Sequence, residues 1–345
     1  MADQFENRFH RFSTSVVSAL AYGKRMLTGD EHEVIQVKQV MEELIDATTP
    51  GTWLVDGFSV LNYLPKWLAP WKRVADMIHD RQYALIRSNT NTAVRSQSWN
   101  WTKQVKEMKE ARGLSPKELE YVIAAVYEAG GDTTSAALQV FTLAALLNSE
   151  AVRKAHVELD TVIGPDRLPS FDDMPNLPFV SAFVNEVLRW RPVLPLAIPH
   201  AAIQDDEYRG FRIPKGATVI GNTWALNFDE SVFPNPHDFL PERWLESPDL
   251  PMNAFGYGRR ACPGEHVAKN SLLISISRIL WGFDILPVYE NGKPVEVDPW
   301  NMTPKIISPP APFKADFRVR SDVHQKVIER EYLYSRNDPW DFEPS

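Results

Sequence analysis

Phe255-Gly-Tyr-Gly-Arg-Arg-Ala-Cys-Pro-Gly264 holds the single cysteine of this 345-residue chain. It stands directly ahead of Glu265 to Trp281, an apolar run with the pattern of a helix. Helix N-terminal amides and nearby cations, here Arg259 and Arg260, both stabilise a thiolate, so the position favours a ligand or nucleophile over a neutral thiol. A lone cysteine is by default a small buried hydrophobe. Gly256, Gly258 and Gly264 weigh against that default, because glycines let a backbone approach something flat or bulky. The loop also contains Gly256-x-Gly258-x-x-Ala261, a relaxed dinucleotide fingerprint. That reading fails, since no strand precedes it and Cys262-Pro263 stands where a pyrophosphate turn would open. A hydrolase with Cys262 as nucleophile and one of the eight histidines as base stays open on these residues, though no cysteine-protease signature supports it.

Working outward, 44% apolar and 24% charged residues describe an ordinary globular chain with a sizeable core. Intrinsic disorder and a disulfide-stapled miniature are excluded. With 37 Lys+Arg against 45 Asp+Glu the net charge is -8, so no general attraction to nucleic acid is expected and any basic docking face must be local. One cysteine allows neither an internal disulfide nor a CxxC zinc site, which reads as an intracellular chain. Met1 to Arg11 carries charges where a signal peptide needs an apolar core, and no window approaches an uninterrupted membrane span, so no anchor is expected in the chain as written.

Helical spacing covers Val34 to Thr48 and Val74 to Val94. The connection between them, Leu61-Asn-Tyr-Leu-Pro-Lys-Trp67-Leu-Ala-Pro-Trp71-Lys, reads most simply as a packed interhelical loop. The alternative is a membrane-touching loop using Trp67 and Trp71. Ser115-Pro116-Lys117-Glu118 is a capping box opening a helix towards Asn148, roughly 30 residues or about 50 Å long. Its middle, Ala129-Gly130-Gly131-Asp132-Thr133-Thr134, is costly: each glycine loses about 1 kcal/mol against alanine, and Asp132 is polar where a core-crossing helix should be apolar. Two further helices follow, Ser149 to Val162 and Pro178 to Trp190. A hairpin is expected around Tyr208-Arg209-Gly210 and a late strand near Phe313 to Arg320.

Phe255-x-x-Gly258-x-Arg260-x-Cys262-x-Gly264 resembles the haem-binding loop of the cytochrome P-450 superfamily, in which the cysteine thiolate is the axial iron ligand. Three more segments occur in that family's order. Glu186-x-x-Arg189 resembles its ExxR helix, which alone would be an ordinary i,i+3 ion pair. Phe239-Leu-Pro-Glu-Arg243-Trp resembles the segment giving Arg243 to a Glu-Arg-Arg cluster. The Ala129 to Thr134 stretch resembles the oxygen-activating helix, with Ala129 and Gly130 forming a groove for dioxygen. The resemblance covers about Phe9 to Arg320.

It implies a mainly α fold with a small β region, a single domain over 1-345 that lacks the N-terminal part of the family's fold. Haem b would lie between the long helix and the Cys262 loop, with Phe255, Gly256 and Gly264 framing it. Arg260 and His200 would meet the propionates. Thr133 would hydrogen-bond the oxygen species and Asp132 would gate protons from solvent; a threonine back-bonding to its own helix is disfavoured beside two glycines. Val126 to Ala129, Val193 to Ile198 and Ile306 to Ile307 would line an apolar pocket.

The implied activity is a monooxygenase inserting one atom of O2 into a hydrophobic small molecule, with electrons from NADPH through a cytochrome reductase. Fungal secondary metabolism is the nearest style. A haem-thiolate isomerase or dehydratase and a noncatalytic fragment are the alternatives. Arg259 and Lys269 could form the reductase's basic face. The resemblance implies the cytoplasmic face of the endoplasmic reticulum membrane, with peripheral contact through Leu61 to Trp71. Members usually run to roughly 450 to 500 residues folded as one unit, so the anchor, first strands and early helices would precede this chain. Leu226-Asn-Phe-Asp229-Glu departs from the histidine-bearing segment expected there.

Overall fold

Ser115 and Glu118 start a helix by reciprocal bonds. The Glu118 amide donates to the Ser115 hydroxyl at 3.3 Å, and the Ser115 amide to the Glu118 carboxylate at 2.7 Å. The helix then runs through Pro116–Leu147, 32 residues, as its spacing predicts. The structure is a computed structural model describing residues 5–29, 31–49 and 51–337. These residues fall into two compact units, one running to Ser135 and taking up the chain again from Glu329, the other spanning Ala136–Ile328.

The first unit contains α1 (Phe5–Tyr22), α2 (His32–Thr48), α3 (Leu54–Gly57), α4 (Pro70–Arg95), α5 (Trp101–Glu107) and the first part of α6 (Pro116–Leu147). Apolar residues one helical turn apart build its core: Val37, Val40, Met41 and Leu44 of α2, Leu119, Ile123 and Tyr127 of α6, and Val17, Ala21 and Tyr22 of α1. Thr102 of α5 donates to the Ala21 carbonyl at 2.8 Å. That satisfies an acceptor which the end of α1 leaves open.

The packed-loop expectation for Leu61 to Lys72 is corrected. Leu54, Phe58, Val60, Tyr63, Trp67 and Leu68 are exposed, Tyr63 at 91% and Trp67 at 72%. Polar bonds hold the segment in place of apolar packing: Lys72 Nζ donates to the Asn62 and Leu64 carbonyls at 2.6 and 3.0 Å. Trp71, in the first turn of α4, is half-buried.

The second unit takes the rest of α6 with α7 (Ser149–Val162), α8 (Pro178–Trp190), α9 (Thr223–Asn227), α10 (Arg243–Glu246) and α11 (Glu265–Gly282). Helices α7, α8 and α11 pack on one another. Ten of the 13 residues of α8 are buried, so it is a core helix on every side. Phe141 of α6 meets Phe183 edge-on at 5.9 Å.

The strands are β1 (His200–Ala201), β2 (Asp206–Tyr208), β3 (Phe211–Ile213), β4 (Thr218–Val219), β5 (Phe283–Leu286), β6 (Tyr289–Glu290), β7 (Lys293–Pro294) and β8 (Asp316–Val319). They pair antiparallel as β1 with β4, β2 with β3, β5 with β8 and β6 with β7. Tyr208 faces Phe211, which leaves Arg209 and Gly210 as a two-residue turn with φ of 51° and 81°. Positive φ at both positions is the turn that matches strand twist. The molecule is thus mainly α with a small β region. Among the described residues no single helix is long and apolar enough to cross a membrane; α6 and α7 meet the criteria only as a pair bent by 103°.

The last helix, α12 (Asp322–Asn337), brings His324 against Trp281 at 4.5 Å. His324 and His156 of α7 each hold a buried Nε2 without a hydrogen-bond partner. Burial and the Arg320 guanidinium, itself bonded to Asp160 at 2.8 and 2.7 Å, hold both imidazoles below the usual histidine range. Unfolded histidines titrate near about 6.5, so below that pH the unfolded chain takes up protons the folded chain refuses, and stability falls. Melting temperatures between pH 7.5 and 5 should therefore drop more for the natural chain than for a His156→Gln, His324→Gln variant. Equal drops would remove these histidines from the account.

Candidate functional site

Glu186 is fully buried on α8 and accepts five hydrogen bonds from four residues. Arg189 clasps it through Nε at 2.9 Å and Nη2 at 2.7 Å. Arg243 Nε reaches it at 3.2 Å, the Trp244 indole at 2.9 Å and the Leu240 amide at 3.0 Å. Both guanidiniums are spent further on carbonyls: Arg189 on Asn227, Pro236 and Asp238, and Arg243 on Pro234 and Asn235. The surface ion-pair reading of Glu186-x-x-Arg189 does not describe this arrangement. A carboxylate with every lone pair engaged and two bidentate-capable arginines is an internal clamp.

The clamp reaches the cysteine loop through asparagines. Asn227 Nδ2 donates to the Arg189 carbonyl at 2.8 Å, and Asn253 Nδ2 donates to Asn227 Oδ1 at 2.9 Å. Tyr257, inside the loop, donates its hydroxyl to Asn253 Oδ1. Asn227 and Asn253 are both buried. Neither carried a signal in the sequence, and Asn227 lies in the segment that departs from the family's pattern. Beside them Arg191 is buried between Trp190 and Trp300, whose ring centres lie 4.0 and 4.2 Å away. Burial and neighbouring Arg189 lower its guanidinium to about 10.

The loop folds back on itself by a 2.7 Å bond from the Cys262 amide to the Phe255 carbonyl. Gly256 and Gly258 take φ of 69° and 61°, values that strain any side-chain-bearing residue. Cys262 is exposed, which removes the buried-hydrophobe reading, and it stands three residues before α11. One thiolate does not hold a bare ion, and among the described residues no group of three His, Cys, Asp or Glu is placed to hold one. The donor set fits a metal whose other ligands arrive with a flat ring.

Other expected residues fall as follows. Arg260 and Arg259 are exposed in the loop, and His200 is exposed on β1 opposite Val219. Lys269 is not a free cation for docking: it pairs with Glu265 at 2.6 Å and lies over the Phe255 ring at 5.3 Å. Gly264 precedes the first turn of α11. The Ser308 amide donates to the Val193 carbonyl at 2.9 Å, bringing the Val193 to Ile198 stretch to the turn at Ile306 and Ile307.

In the first unit, Ala129, Gly130, Asp132 and Thr133 lie within α6. The Thr133 hydroxyl donates to the Ala129 carbonyl at 2.7 Å, so the back-bond expected to be disfavoured is the one adopted. Gly130 also has a packing reason: a Cβ there would lie 2.5 Å from Val17 of α1. Close approach of this neighbouring helix gives glycine at position 130 a packing reason of its own. Asp132 Oδ1 lies 3.2 Å from His10 Nε2. Within the stretch expected to be apolar, Glu128 accepts from Gln82 at 3.1 and 2.9 Å, and burial raises its carboxyl to about 7.

Comparison with known proteins agrees with this geometry. The family described as Cytochrome P450 matches residues 4–317. The chain is 46% identical over 336 residues to the cytochrome P450 monooxygenase aneD of Aspergillus aculeatus, covering 97% of this chain and 65% of that one. It is 43% identical to the cytochrome P450 monooxygenase FrzL of a Cladobotryum species, covering 95% and 64%. Fumitremorgin C synthase of Neosartorya fischeri is 36% identical, covering 96% and 66%. The chain thus spans about two thirds of the length of the curated relatives it matches.

Proposed function

The chain belongs to the cytochrome P450 family, and from that premise we propose that it is the major part of a haem-thiolate monooxygenase acting on an apolar small molecule in fungal secondary metabolism. One observation carries the reading: an exposed Cys262 on a glycine loop ahead of α11, a loop tied through Asn227, Asn253 and Tyr257 to the Glu186, Arg189 and Arg243 clamp. Haem b is the family's cofactor. Cys262 Sγ would hold its iron, Phe255, Gly256 and Gly264 would frame it, and Arg260 and His200 would be its propionate partners. When bound, it supplies a thiolate-ligated iron at which O2 is reduced and one oxygen atom is inserted into substrate.

Protons are the chain's own contribution. Asp132 takes a proton from the solvent side on its carboxylate, and the Thr133 hydroxyl, which here donates to the Ala129 carbonyl, would release that bond to pass one on. Thr133→Ala should leave cofactor binding intact while diverting NADPH electrons to peroxide. Unchanged coupling of product to NADPH removes Thr133 from proton delivery.

Electrons would come from NADPH through a reductase docking near exposed Arg259. The exposed apolar row Phe58, Val60, Tyr63, Trp67 and Leu68 favours peripheral contact with the cytoplasmic face of the endoplasmic reticulum membrane. The activity is tested by supplying haem, reductase, NADPH and 18O2 with a panel of apolar polycyclic scaffolds. One labelled oxygen atom in the product supports a monooxygenase. A rearranged product without label supports the isomerase or dehydratase alternative, and no haem-dependent product at all supports the noncatalytic one.

A further inference from the structure

Three residues of α1 meet three consecutive residues of α6. His10 Nε2 lies 3.2 Å from Asp132 Oδ1. Thr14 Oγ1 lies 3.5 Å from where a Cβ on Gly131 would be, and Val17 Cγ1 2.5 Å from one on Gly130. Positions 10, 14 and 17 share one face of α1, so a single helix face packs against the Gly-Gly-Asp segment. The missing side chain at Gly130 lets that face come close enough for an imidazole to reach the carboxylate. Both partners are largely withdrawn from water, at 18% and 22% side-chain exposure, so the bond is little diluted by solvent.

We propose that His10 is a positioning residue for Asp132. With its proton on Nε2, the imidazole donates to Oδ1 and fixes the carboxylate's rotamer, leaving Oδ2 as the oxygen that exchanges protons. The inference rests on the reading of Asp132 as the proton-gating acid. Without the anchor, the carboxylate swings about its own side-chain torsions, and misplacement of a proton-transfer group by about 1 Å can cost up to about 100-fold. Thr14 and Val17 set the height of α1 over α6, and His10 supplies the directional bond.

The test compares His10→Ala, His10→Gln, Asp132→Asn and the His10→Ala, Asp132→Asn pair in the haem-loaded chain with reductase and NADPH. Their reduced, carbon monoxide-treated spectra serve as the check on cofactor binding. His10→Ala should lower the ratio of product to peroxide by about tenfold with KM unchanged. His10→Gln, whose amide nitrogen reaches the place of Nε2, should restore most of it. Melting temperatures supply a readout independent of turnover: losses from His10→Ala and Asp132→Asn should be non-additive, as for groups in direct contact. If Asp132→Asn lowers the ratio while His10→Ala does not, the positioning role is overturned and the acid's role stands. If Asp132→Asn changes nothing, the acid's role fails and the inference with it. A folded His10→Gln as impaired as His10→Ala, or strictly additive melting losses, also overturns the proposal.

Discussion

Glu186→Ala is expected to unfold the chain or leave it unable to retain haem. The substitution removes the acceptor of Arg189, Arg243, the Trp244 indole and the Leu240 amide in one step. Arg189 is itself only 1% exposed, so its charge would remain in the interior without a counter-ion. Breaking a buried pair from one side costs about 3–5 kcal/mol, against about 5–15 kcal/mol for the whole stability of a typical domain. Two arginines are stranded here, which places the loss at the upper end. Glu186→Gln should also be severe, because its amide would set a donor among donors. The check is the denaturant midpoint and bound-haem stoichiometry of purified variants. An unchanged midpoint for Glu186→Ala would mean that the clamp contributes no more than a surface pair.

Cys262→Ala should separate cleanly from that result. The side chain is exposed, and exposed substitutions usually change stability by less than about 0.5 kcal/mol, so the melting temperature of the haem-free chain should hold. Haem incorporation should fall to background, because no other residue of the loop offers a thiolate. Cys262→Ser tests the same point with a nearly isosteric group, since a serine hydroxyl does not ionise near neutrality. A Cys262→Ala chain that binds haem stoichiometrically with an unaltered spectrum would refute the axial assignment.

Much of this was legible because the signals were local. The Ser115 capping box, the Pro178 start of α8 and the Arg209-Gly210 turn all fold through bonds among near neighbours, and each appears at its expected place. Cys262 was legible through company: glycines, arginines and a following helix. What the sequence concealed depends on distant partners. The relay through Asn227, Asn253 and Tyr257 uses residues whose types occur in every loop. Gly130 shows its packing reason only when α1, more than a hundred residues earlier, is laid against it. The Leu61 to Trp71 connection misled for the opposite reason: its composition suits packing, but Lys72 ties its backbone in an exposed path. The Thr133 hydroxyl was expected not to bond back to its own helix, yet it satisfies the Ala129 carbonyl, a choice that the two neighbouring glycines did not foretell.

The most direct measurement is the absorption spectrum of the 345-residue chain, expressed with haem supplied, then reduced and exposed to carbon monoxide. A red-shifted, thiolate-type Soret band that disappears in Cys262→Ala is the predicted result. An imidazole-type band, or a thiolate-type band that survives Cys262→Ala, would contradict the assignment of Cys262 as the iron's ligand.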